Sequence, residues 1–269
     1  MPRLKKVLKV TLLIIACLAL IFFTTFIVRK IRVEDSQKII TTHFDISYSG
    51  ILKSEANNIS KALEANYDRI RKELSDPAHN KISVYIHPTQ KDFNTATGLI
   101  NSKANGTSRG PLVFHLKYET WYNSVFPQDM KKVAVHEFTH CIQLNVLVQD
   151  ALSKTLKENP SDFDKEFEEK FLKEYPQWLW EALSDYEAGI INKVSVKHGM
   201  KNKPTLKQLN NSNQIYNVGY TIIEYLVIKY GKEKLPLFIK TYSDFENVLG
   251  VSEKDFESGW HKFVDEKYL

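Results

Sequence analysis

The stretch KKVAVHEFTHCIQ, residues 131–143, sets His136 and His140 four apart, with Glu137 directly after the first histidine. No glycine or proline falls between 129 and 148, so one continuous helix can carry all three. On a helix, positions i and i+4 project from the same face, close enough for two imidazoles to share one ion. Zinc takes imidazole nitrogens at about 2.0–2.1 Å, and Glu137 falls where it can reach a water held beside them. Cys141 follows a histidine directly, so it points about 100° away around the helix and reads as a small buried residue.

A catalytic zinc takes three protein ligands. The downstream candidates for the third are Glu174, Glu181, Asp185, Glu187 and His198. The segment YPQWLWEALSDYEAG (175–189) is the most informative, because Pro176 suits a helix start and Gly189 a helix end. Trp178, Leu179, Trp180 and Leu183 make that helix largely buried. Glu181 and Asp185 lie four apart on one face. A buried pair of carboxylates is costly unless a cation neutralises it, and zinc together with a histidine N–H would do so.

Taken together, HEFTH, PQWLWEALSDY and YNVGYTIIEYLVIKYG resemble the gluzincin metallopeptidases, the group that holds thermolysin and the zinc aminopeptidases. The likeness is greatest to the peptidase-MA-like domains of bacterial membrane or secreted proteins, and it extends loosely over residues 41–240. Ala182 stands where that group typically has glycine. The resemblance implies His136, His140 and Glu181 as zinc ligands, with Glu137 as the general base acting on water. It implies Asp185 as the aspartate that hydrogen-bonds a ligand histidine, expected to be His136. Tyr216, in YNVG, matches the tyrosine that stabilises the tetrahedral intermediate, and Tyr220 competes for that role. Between His140 and Glu181 lies a charged segment, SDFDKEFEEKFLKEY (161–175), which reads as a solvated helix capped by Ser161, or alternatively as a lid.

Upstream, HFDISY (43–48), KISVYIH (81–87) and PLVFHLKY (111–118) read as strands. A helix capped by Ser54 and running to about Leu74 follows the first strand. Residues 94–111 are rich in Asn, Ser, Thr and Gly and read as loop. The class expected is α+β: a small mixed sheet, then a mainly helical half carrying the zinc helix, the whole preceded by one transmembrane helix. The strand at 111–118 is expected to offer an edge to which an extended peptide adds.

Residues 10–28, VTLLIIACLALIFFTTFIV, contain no charge and match the ~30 Å hydrocarbon core in length. The organisation expected is therefore a cytoplasmic tail (1–9), a transmembrane anchor (10–28), a linker (29–40) and a metallopeptidase domain (41–269) outside the membrane. A cleaved signal peptide and a lipoprotein box, IIAC with Cys17 lipidated, are the rival readings. Of 269 residues, 43% are hydrophobic and only ten are glycine and nine proline, so the material for a folded core is ample. The +5 charge is concentrated around the apolar run, which leaves no basic face for nucleic acid. The two cysteines make no disulfide framework. His43, His79, His87, His115, His198 and His261 show no ligand spacing.

The function expected is a membrane-anchored zinc metallopeptidase acting on a peptide or protein, with Zn2+ as cofactor. The alternatives are a catalytically inactive zinc-fold binding module and a zinc hydrolase of a non-peptide substrate.

Overall fold

In β2 (Phe44–Ser49) the rings and chains of Phe44, Ile46 and Tyr48 are buried and alternate with Asp45 and Ser47. β3 (Ile82–His87) repeats the pattern with Ile82, Val84 and Ile86. These two strands and β5 (Val113–Lys117) are parallel neighbours. β1 (Ser36–Ile40) and β4 (Gly106–Ser108) flank them antiparallel, giving the order β1-β2-β3-β5-β4. The computed structural model describes residues 14–24, 36–77, 79–155 and 163–269. The fold is a mixed five-stranded sheet followed by a mostly helical half, as expected.

Four details correct the sequence reading. Residues 36–40 are a strand rather than linker, because their backbone pairs with β2 from Ser36↔Ser49 to Ile40↔Asp45. The polar segment 94–111 begins inside α3 (Gln90–Thr97) and contains β4. The strand expected to present an edge, β5, is interior, and β4 is the outermost described strand on its side. The long helix α2 (Lys53–Leu74) starts after Leu52, with Ser54 inside its first turn and making no cap.

α2 buries Ala56, Ile59, Leu63, Tyr67 and Ile70, and it packs against β2 and α5 (Met130–Thr155). Phe138 of α5 meets the rings of Phe44 and Tyr67 at centroid distances of 5.3 and 5.8 Å, which locks helix to sheet. α5 also packs on β4 and β5. After α4 (Thr120–Val125) and α5 come α6 (Phe163–Glu174), α7 (Gln177–Ala188), α8 (Lys193–Gly199) and α9 (Leu206–Leu209). The chain closes with α10 (Ile215–Tyr230), α11 (Leu235–Lys240), α12 (Phe245–Leu249) and α13 (Glu253–Tyr268).

Pro176 and Gly189 bracket α7 as expected, Gly189 taking the left-handed φ of 62° that ends the helix. α7 packs on α10, where a Cβ on Gly219 would stand 3.1 Å from the Ala182 Cα. Ala182, the residue that departs from the gluzincin pattern, is thus accommodated by a glycine on the facing helix. α6 is amphipathic rather than fully solvated. Phe163, Phe167, Phe171 and Tyr175 stack in succession, and Phe171 meets Trp180 edge-on at 5.3 Å. Its proposed cap, Ser161, lies outside the described residues.

Of the apolar run 10–28, residues 14–24 are described, as helix α1, and every one is exposed. Residues 1–13 and 25–35 lie outside the described residues. Among those described, no helix is long and apolar enough to cross a membrane.

Candidate metal centre

α5 and α7 run antiparallel, so that His136 faces Asp185 while Gln143, two turns on, faces Trp180. Helical spacing puts Glu181, Ser184 and Asp185 on the α7 face that meets the two histidines. The result is a buried group of His136, His140 and Glu181 whose candidate ligand atoms all lie within 4.8 Å of one another. His136 Nε2 is 3.3 Å from Glu181 Oε2, and His140 Nε2 is 3.8 Å from the same oxygen. Ligands at about 2.0–2.1 Å from a tetrahedral ion stand about 3.3 Å apart, so modest closure would seat one. This group could hold a metal ion.

The far nitrogens of both rings are held from α7. His136 Nδ1 is 3.0 Å from Asp185 Oδ1; the carboxylate only accepts, so Nδ1 carries the hydrogen and Nε2 is left for the centre. His140 Nδ1 is 2.9 Å from Ser184 Oγ. Ser184 is itself held by Gln143 Nε2, which donates to it at 3.1 Å and to the Trp180 carbonyl at 3.0 Å. Tyr175 O–H donates to the other end of the same amide at 3.0 Å. Trp180 also lies flat on His140, with centroids 4.0 Å apart and planes 9° apart.

Electrostatics point the same way. Burial opposes a charge on His136, but hydrogen bonds to Asp185 and Glu181 and the nearby Glu137 outweigh it, and the imidazole is raised to about 10. Burial, and then the charge on His136, pushes His140 well below its ordinary value. Asp185 is raised by burial. Three buried carboxyl groups around two imidazoles draw in positive charge, which a bound cation would supply.

Glu137 is buried, and its pKa is raised to about 7, chiefly by desolvation. The backbone of Ser108, on β4, lies beside its carboxylate and tempers that rise. Its Oε2 is buried without a hydrogen-bond partner. The approach of β4 depends on Gly106, where a Cβ would fall 2.6 Å from both Cγ and Oε1 of Glu137. His136, Glu137, His140, Glu181, Asp185, Gly106 and Ser108 line one cavity of about 570 Å3, together with Ala104, Asn105 and Tyr216. Tyr216, 51% exposed, stands beside Glu181 in that lining, and burial and then the nearby Glu181 charge push its hydroxyl pKa up. Tyr220 instead packs against Tyr186, with centroids 5.3 Å apart.

The structure therefore brings together every residue expected at the site: His136, Glu137, His140, Glu181, Asp185 and Tyr216. The other ligand candidates lie apart from it. Glu187 pairs with Arg69, Glu174 lines a separate groove, and His198 is exposed in a polar pocket beside Lys201. Cys141 points away from the centre, towards the Val113 carbonyl. Ser184 was readable from its spacing to Glu181 and Asp185; Gly106, Ser108, Gln143 and Tyr175 carry no local signal. Among its described residues, α6 contributes none to the cavity lining. No family model matches the chain, and no curated protein matches it.

Proposed function

We propose that this protein is a zinc metallopeptidase, anchored in a membrane by residues 10–28 with its domain outside. The observation that carries the reading is the meeting of three candidate ligands and the unpartnered Glu137 Oε2 in one cavity. Two imidazoles and one carboxylate, with room left in the cleft, suit zinc in a hydrolytic site. When bound, the ion supplies Lewis acidity, which acidifies water and polarises a carbonyl. His136, His140 and Glu181 would hold it, with Asp185 and Ser184 orienting the rings.

The chain's own residues supply the rest. Glu137 takes a proton from the attacking water on Oε2 and passes it to the leaving amine nitrogen, while the Ser108 backbone lies beside its carboxylate. Tyr216 donates its O–H to the oxyanion that forms at the scissile carbonyl. An extended substrate adds its backbone along β4, whose residues form one wall of the cleft. Supporting the anchor, the described part of the apolar run is a helix exposed on every side. Such a surface suits lipid better than water.

The test compares wild type with Glu137→Gln on a peptide library, with metal measured by elemental analysis. Wild type should carry one zinc per chain and cut. Glu137→Gln should keep the zinc and lose about 10²–10⁴ in turnover, the usual range for removing a general base. Stoichiometric metal with no peptide cut by wild type would instead support the binding module.

A further inference from the structure

α4 buries none of its six residues. Trp121 and Val125, one turn apart on the same face, are each 61% exposed, and Phe126 just beyond is 57% exposed. Tyr122 joins them, its ring 6.0 Å from Trp121 and 5.2 Å from Phe126. Single exposed apolar side chains are ordinary, but a contiguous aromatic patch marks a surface that meets something.

The sheet shows what it meets. Ser36 pairs with Ser49, Tyr48 with Ile86 one residue earlier, and His87 with Lys117. Ser36, Ser49, His87 and Lys117 thus form one row across the same end of the sheet. Ser36, Ser49 and His87 also share a surface cavity there. α4 begins three residues after Lys117, whose ammonium lies 6.0 Å from the Tyr122 ring centre. The chain enters the domain at Ser36, three strand spacings (about 14 Å) from Lys117. Between the uncharged run 10–28 and Ser36 stand only residues 29–35, which reach at most about 25 Å. The end of the sheet that bears the aromatic patch is therefore the end tied closest to the apolar run.

Resting on the anchor reading above, we infer that Trp121, Val125 and Phe126 seat this end of the domain in the interfacial layer of the same lipid bilayer. Tryptophan and its neighbours suit that layer, where an apolar ring body and a polar N–H both find their medium. The posture also orients the cleft. Lys117 N–H donates to the Asn105 carbonyl at 2.8 Å, so the Ala104–Asn105 part of the cavity lining stands at this same end of the sheet. Substrates would then be segments lying close to the membrane surface.

The full chain reconstituted into liposomes tests this through its tryptophans. Of the four, Trp178 and Trp260 are buried, Trp180 stacks on His140, and residues 10–28 contain none. Lipids brominated near the headgroup should quench part of the wild-type emission, and that part should vanish in Trp121→Phe. Adding Val125→Trp to Trp121→Phe should restore it, which a merely structural effect would not do. Carbonate extraction separates the two readings. A chain that resists extraction but shows equal quenching in wild type and Trp121→Phe keeps its anchor and loses the seat. A chain that washes off overturns both. Disulfide dimers from Trp121→Cys, without lipid quenching of wild type, would overturn the seat in favour of contact between copies.

Discussion

Helix α7 carries two buried glutamates that meet opposite fates. Glu187, near its C-terminal end, is neutralised from within the chain: Arg69 of α2 reaches its carboxylate and also donates to its backbone carbonyl at 2.8 Å. Burial and the nearby Glu73 still raise its pKa to about 7. Glu181, earlier on the helix, has no arginine or lysine among its ion-pair partners in the described residues; it faces two imidazoles in the cavity. The contrast teaches how to tell a structural carboxylate from a candidate ligand. The first is matched by a cationic side chain packed in place, and the second sits where a mobile cation can reach it.

Breaking the two carboxylates separately should give different losses. Glu181→Ala removes one of the three candidate ligands and should leave little or no metal on elemental analysis. Arg69→Ala should leave the metal in place but cost about 1–3 kcal/mol in urea unfolding, because Glu187 loses its charged partner. Full metal retention by Glu181→Ala would erase the distinction.

The two tyrosines of α10 sharpen it next. Tyr216 lines the cavity beside Glu181 while Tyr220 packs on Tyr186. Tyr216→Phe should lower kcat by about 10²–10³, the scale of one oxyanion donor, with metal content unchanged. Tyr220→Phe should cut at nearly the wild-type rate. The reverse result would leave the metal site standing and move the donor one turn along the helix.

The smallest expected effect concerns the groups behind the rings. Asp185→Asn and Ser184→Ala should each weaken metal binding by about 10–100-fold, the usual range for residues that orient a ligand histidine. Competition with a chelator measures it. Equal affinity in both variants and wild type would mean that Trp180 and helix packing alone hold the rings.

Much of this was legible in the chain. The ends of α7 were readable because proline and glycine impose their backbone preferences locally. β2 and β3 were readable because alternating burial writes itself into sequence. β4 was not. Gly106, Thr107 and Ser108 form a strand only because β5 offers them a partner, and three residues carry no period of their own. β1 carries little signal for a related reason, since SQKII gains its order from β2. The phenylalanine stripe of α6 stands at i, i+4 spacing, but the dense charge around it masks that apolar face in the sequence.

By itself, the sequence determined which residues are able to bind a cation and the local geometry that pairs them. His136 with His140, and Glu181 with Asp185, follow from helical pitch, which acts over four residues and needs nothing distant. Only the tertiary structure decided that these two pairs face each other, that Ser184 rather than another group backs His140, and that Arg69 claims Glu187. It also decided that Gly106 must lack a side chain for Glu137 to sit beneath β4. Those contacts join residues about 30 to 120 positions apart. They exist because burying the shared core of α2, α5, α7 and the sheet brings these helices together, and no local preference encodes that meeting.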